Sequence, residues 1–153
     1  MSVINEKYLP GAARYVLGAI FTIFGLNGFL NFLPMPPMTG AAGEFMGALA
    51  ATGYMLPMIK TVEVVAGLLL LFGRYVPLAL ALLAPDIVNI FLFHVFLAPS
   101  GLPIAVLLVL LGVYLAWSYR DLYRPMLSAR VIPTSRKQPQ QRFHYDHTAS
   151  ARS

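Results

Sequence analysis

Residues 54–97 read YMLPMIKTVEVVAGLLLLFGRYVPLALALLAPDIVNIFLFHVFL. Two apolar runs, about 54–72 and 76–97, flank the break Gly73-Arg74. Each is long enough to cross roughly 30 Å of hydrocarbon as a helix. A glycine followed by a cation is ordinary chemistry for the turn between two helices. The stretch therefore reads as a pair of membrane spans joined by a tight turn.

Working outward, two more runs of the same kind cover about 13–33 and 102–119. Their ends carry Pro34, Pro36 and Pro37 on one side and Pro99-Ser100-Gly101 on the other. The expected fold is all-α: a four-transmembrane-helix bundle over residues 1–123, followed by a basic, polar tail over 124–153. Composition agrees. The chain is 58% hydrophobic and 11% charged, with a mean hydropathy of +0.70. Soluble domains carry about 25% charged residues. Cysteine is absent, which excludes disulfides, thiol catalysis and thiolate metal sites.

The eleven Lys and Arg residues are distributed unevenly. Lys7 and Arg14 stand at the start of the first span, Arg74 lies between the second and third, and Lys60 lies within the second. The remaining seven, Arg120, Arg124, Arg130, Arg136, Lys137, Arg142 and Arg152, follow the fourth. The segments 34–53 and 98–101 have none. By the positive-inside rule both termini are expected in the cytoplasm. A basic tail beside membrane spans suits anionic lipid better than nucleic acid, and Arg120 and Arg124, four apart, suit lipid phosphate or an acidic partner. Trp117, with Tyr114, Tyr119 and Tyr123, reads as an aromatic belt at the inner interface.

Ala48-Leu49-Ala50 resembles a signal-cleavage site, but the preceding apolar stretch is too long and a proline-rich loop intervenes. Ala41–Thr52 is helix-permissive and apolar except for Glu44. It is expected as a short helix on the outer surface between spans one and two, either a packed lid or a gate. Residues 133–142 are polar, aperiodic and contain two prolines, so they are expected to be disordered on their own. His144-Tyr145-Asp146-His147 is a weak metal motif because it lacks supporting structure.

Apart from Arg14 near the cytoplasmic end, seven ionisable or amide side chains fall inside the spans: Asn27, Asn31, Lys60, Glu63, Asp86, Asn89 and His94. Each costs several kcal/mol in hydrocarbon unless it finds a partner. The predicted orientation places them in the outer half of the membrane, and they are expected to form one internal cluster, a candidate quinone or proton site. Lys60 and Glu63, three apart, share a helical face, although Lys60 could instead extend outward to the interface. Pro85 is expected to kink the third span. Asp86, near mid-membrane, is expected either protonated or paired with Lys60 or Arg14, and depth favours Lys60. Asp86, Asn89 and His94 spread over roughly 140° of an ideal helix, so they do not share a narrow face. His94 suits proton transfer, metal ligation or a hydrogen bond to a carbonyl. The spans hold no second histidine, which excludes bis-histidine haem within one chain. Arg14, Gly18, Phe21, Gly25 and Gly28 form one stripe, a close-packing face.

Three stretches carry a family resemblance. Arg14-Tyr-Val-Leu-Gly18 through Gly25 and Asn27, Lys60-Thr-Val-Glu63 through Gly67 to Gly73, and Pro85-Asp86 through Asn89 to His94-Val-Phe together resemble the DoxX family of small four-helix bacterial membrane proteins. The match covers about residues 12–123. That family is similar to the membrane subunit of thiosulfate:quinone oxidoreductase. The resemblance therefore implies the bacterial cytoplasmic (inner) membrane and a link to quinone or sulfur redox chemistry, with quinone as the implied cofactor. The family has no agreed catalytic residues, so the resemblance assigns no catalytic role to Glu63 or His94; no metal site is expected. Without cysteine, a direct sulfur relay is not expected here. Three functions follow as expectations: an accessory subunit of a larger redox or energy-converting membrane complex; a quinone-interacting subunit of an oxidoreductase; and a small oligomeric transporter or proton conductor. The expected partners are the lipid bilayer, other membrane subunits, or further copies of the chain.

Overall fold

A computed structural model describes residues 3–123. Over these residues its regular structure is all helical, with α1 Val3–Leu30, α2 Gly40–Ala51, α3 Met55–Phe72, α4 Val76–Phe96, α5 Leu102–Ser118 and the short α6 Arg120–Tyr123, joined by loops and turns. Four helical segments are long and apolar enough to cross a membrane: Tyr8–Leu30, Met55–Phe72, Val76–Phe96 and Pro99–Ser118. At 1.5 Å per residue they measure roughly 27–35 Å, which matches a hydrocarbon core. The arrangement is that of a multi-pass membrane protein. Arg124, the segment 144–147 and the remainder of the tail lie outside the described residues.

The first span starts earlier and stops sooner than its hydropathy suggests. Asn31 adopts a left-handed conformation (φ 49°) and ends α1, a role to which asparagine is better suited than most residues. Three residues later the prolines begin. The helix expected over Ala41–Thr52 is present as α2. It hands over to α3 through Thr52, whose hydroxyl donates to the Leu49 carbonyl (2.6 Å) and accepts from the Met55 amide (3.1 Å).

The turn between α3 and α4 follows the predicted chemistry. Gly73 takes φ +66°. Its amide donates to Leu70 O (3.1 Å) and the Arg74 amide donates to Leu69 O (3.0 Å), the paired bonds of a Schellman stop. Pro85 leaves α4 uninterrupted from Val76 to Phe96; the helix absorbs it.

The four long helices pack in the cyclic order α1, α3, α4, α5 and back to α1, with α1 against α3 the most extensive interface. Leu17, Phe21, Leu70, Leu83 and Leu115 are fully buried at the centre. The α1/α3 face is built on glycine. A Cβ on Gly18 would stand 2.9 Å from Gly67 O, and one on Gly67 would stand 2.7 Å from the Thr22 amide nitrogen. The predicted stripe on α1 is thus a close-packing face. Side chains such as Phe72, Phe96, Leu110 and Val113 remain largely exposed, an outward apolar surface compatible with lipid contact. At the end of the bundle where α6 lies, Tyr123 reaches back and its hydroxyl donates to Pro77 O (3.0 Å). Burial holds that phenol above its usual range.

Candidate functional site

Lys60 and Glu63 lie on the face of α3 that meets α1, and the glycines of α1 make room for them. A Cβ on Gly28 would fall 2.5 Å from Lys60 Cγ and 2.6 Å from Cδ. A Cβ on Gly25 would fall 3.0 Å from that of Glu63. With that space open, the Lys60 stem runs across Gly28 and its ammonium donates to both Glu63 oxygens, at 2.7 and 2.8 Å. Glu63 is nearly sealed, its side chain 4% exposed against 25% for Lys60. Lys60 therefore turns inward to its neighbour rather than outward to the interface.

Asp86, half-buried on α4, is within electrostatic range of both charges. Its Oδ2 is buried and has no hydrogen-bond partner among the described residues. Lys60, Glu63 and Asp86 form the core of the site: one ammonium and two carboxyl groups near mid-span. If all three were ionised, the group would carry one excess negative charge in apolar surroundings. A proton, a cation or a hydrogen-bond donor on a ligand would complete the balance. Thr22, across the α1/α3 face and 9% exposed, also keeps a buried hydroxyl without a partner among the described residues; hydroxyls give little sequence signal, and Thr22 escapes a search for charged and amide groups.

The structure does not bring the other four residues into this core. The Asn27 amide brackets the Leu33 backbone, accepting from its N–H (2.6 Å) and donating to its carbonyl (3.3 Å). It fastens the chain as α1 ends. Asn31 is exposed, and its left-handed backbone completes the same stop. His94 closes the turn between α4 and α5. Its Nδ1 lies 2.9 Å from Ala98 O; a carbonyl can only accept, so Nδ1 carries the proton. Its ring stacks edge-on against Phe93 (5.3 Å between centroids) and occupies the space where a Cβ on Gly101 would project. Asn89 points outward from α4 and is exposed. Asp86, Asn89 and His94 thus have different surroundings: Asp86 is half-buried, Asn89 is exposed, and His94 is bonded to the turn that follows α4.

Two cations outside this core stabilise helix ends. Arg14 donates from Nη1 to the carbonyls of Leu70 and Leu71 at the C-terminus of α3, and its guanidinium covers the Tyr15 ring at 4.6 Å. It neutralises carbonyls that the helix leaves open and is not the partner of Asp86. Arg120 lies over Trp117 (5.1 Å to the ring centroid) and donates to its carbonyl (3.3 Å). Among the described residues, no three His, Asp or Glu side chains come together as a metal would require.

Comparison with family models, with curated proteins and with solved structures finds no match to this chain.

Proposed function

We propose that the chain is a DoxX-like integral membrane protein acting as a non-catalytic accessory subunit of a larger redox or energy-converting complex. It would sit in a bacterial cytoplasmic membrane with both termini and the basic tail inside. The observation that supports this reading is how the polar side chains of the spans are used. Arg14, Asn27 and His94 each bind backbone of the same chain, and Lys60 binds Glu63. These bonds fix helix ends and helix spacing, which is what a scaffold subunit needs. Gentle solubilisation of the native membrane followed by sizing tests it. Co-migration with other subunits is the expected result; a stable free chain would overturn it.

A second reading, a quinone-interacting subunit of an oxidoreductase, is favoured by one observation: the buried, unpartnered oxygen of Asp86 beside the Lys60–Glu63 pair. A buried polar atom without a partner marks a place where a ligand group or proton completes the site. If this reading holds, Asp86→Asn lowers quinone-dependent electron transfer in native membranes while the complex still assembles. Unchanged transfer in both Asp86→Asn and Glu63→Gln would remove it.

A further inference from the structure

Asn89 takes no part in the ion-pair core or in the helix ends. Asn89 is the fourteenth of 21 residues in α4, roughly 20 Å along the helix from its start and 10 Å from its end. That places it well inside the apolar length. Its amide is exposed and has no hydrogen-bond partner among the described residues. In hydrocarbon an unpaired amide is costly, and the usual remedy is an amide on another helix.

The surroundings of Asn89 follow a regular spacing. Leu78, Leu82, Pro85, Asn89, Leu92 and Phe96 succeed one another at intervals of four and three, and all six are exposed. This is the 3.5-residue seam of paired helices, with a single amide at one seam position. Beside the amide, the same face opens a recess of about 220 Å³, with Phe45 and Phe93 in its walls. That is smaller than the roughly 300–1,000 Å³ of small-molecule sites and suits a side chain entering from an opposing helix.

We infer that this face of α4 is the interface of a homodimer, two copies packing seam to seam with Asn89 bonded to the partner's Asn89. The amide argues for a second copy over a different protein. It carries both donors and an acceptor, so two copies related by a two-fold axis along the membrane normal can bond each other, N–H of one to carbonyl of the other. An isologous contact requires that self-complementarity. The seam repeats on itself in the same way, and its other side chains are uncharged.

The absence of cysteine makes the test direct, since each single-cysteine variant has one thiol. The full chain, reconstituted in phospholipid vesicles, is oxidised and the covalent dimer measured. A disulfide needs Cβ atoms about 3.8 Å apart. Leu82→Cys, Asn89→Cys and Leu92→Cys are expected to cross-link, whereas Leu110→Cys and Val113→Cys, exposed on α5, are not. In a parallel energy-transfer measurement on labelled chains, Asn89→Ala is expected to weaken association roughly 3- to 20-fold, and Asn89→Gln to recover part of it. Three outcomes would overturn the inference: no covalent dimer at the seam, equal cross-linking on α5, or association unchanged in Asn89→Ala. The purified chain suffices for all of these, so failure here leaves the accessory-subunit reading untouched, and the converse also holds.

Discussion

Replacing Gly67 by alanine adds one methyl group where two backbones touch. The new Cβ would stand 2.7 Å from the Thr22 amide nitrogen and 3.0 Å from Gly18 O. Neither is a flexible side-chain end that could swing away. Ordinary contact begins near 3.4 Å, so α1 and α3 must separate by about 0.7 Å along their most extensive interface. Overpacking of this kind costs about 1–3 kcal/mol. Exchanging a helical glycine for alanine returns up to about 1 kcal/mol. With that gain taken in full, the expected net effect is a loss of up to about 2 kcal/mol. Gly11 is the internal control: it lies in the same helix as Gly18, and a Cβ there meets nothing within 4 Å. Gly11→Ala should keep the propensity gain alone. The two variants make the same chemical change, so the propensity gain cancels and they should differ by the overpacking cost alone, about 1–3 kcal/mol. Titrating SDS into the protein in mild detergent micelles and following unfolding reads the difference. Equal midpoints for Gly67→Ala and Gly11→Ala would refute the argument from close backbone packing.

The same titration tests the ion pair. Lys60→Met strands Glu63 in an apolar setting and should cost about 3 kcal/mol or more, whereas the double change Lys60→Met with Glu63→Met should restore most of that loss. Asn27→Ala removes both bonds to Leu33 and should cost about 1–2 kcal/mol; amide hydrogen exchange should show the increase in opening confined to residues near 27–33. Burial raises the Tyr123 phenol, so its neutral form is favoured in the fold. Its contribution is therefore present below pH of about 10 and is lost as pH rises through the higher folded value. Unfolding measured from pH 8 to 12 should show an alkaline loss in the native chain that Tyr123→Phe lacks.

The spans and their breaks were legible because hydrophobic length and turn chemistry act locally. Gly73-Arg74 announces a helix stop without reference to any other residue. The close-packing stripe on α1 was legible for the same reason: glycine spacing along one helix is visible in one dimension. The end of α1 was not, because Asn27 and Asn31 look like polar groups seeking a site. Only the structure shows the amide folded onto Leu33. The site was legible in part. Spacing placed Lys60 and Glu63, three residues apart, on one face, but left open whether Lys60 extends outward; the structure turns it to Glu63. Asp86 joins them only through the packing of α3 against α4, which no local pattern encodes. Arg14 illustrates the limit most clearly, since its carbonyl partners lie 56 and 57 residues away.

The glycine-lined contact between α1 and α3 bears on how the chain enters the bilayer. Both spans precede α4 and α5 in the chain, and their interface requires nothing from α4 or α5. Within that pair Arg14 already has the carbonyls of α3, Asn27 has Leu33, and Lys60 has Glu63. The α1–α3 pair can therefore insert with these charges and this amide already satisfied, before α4 and α5 have been synthesised. Asp86 and Asn89, by contrast, arrive later and with their side chains unbonded, so α4 is the helix whose burial must wait for partners.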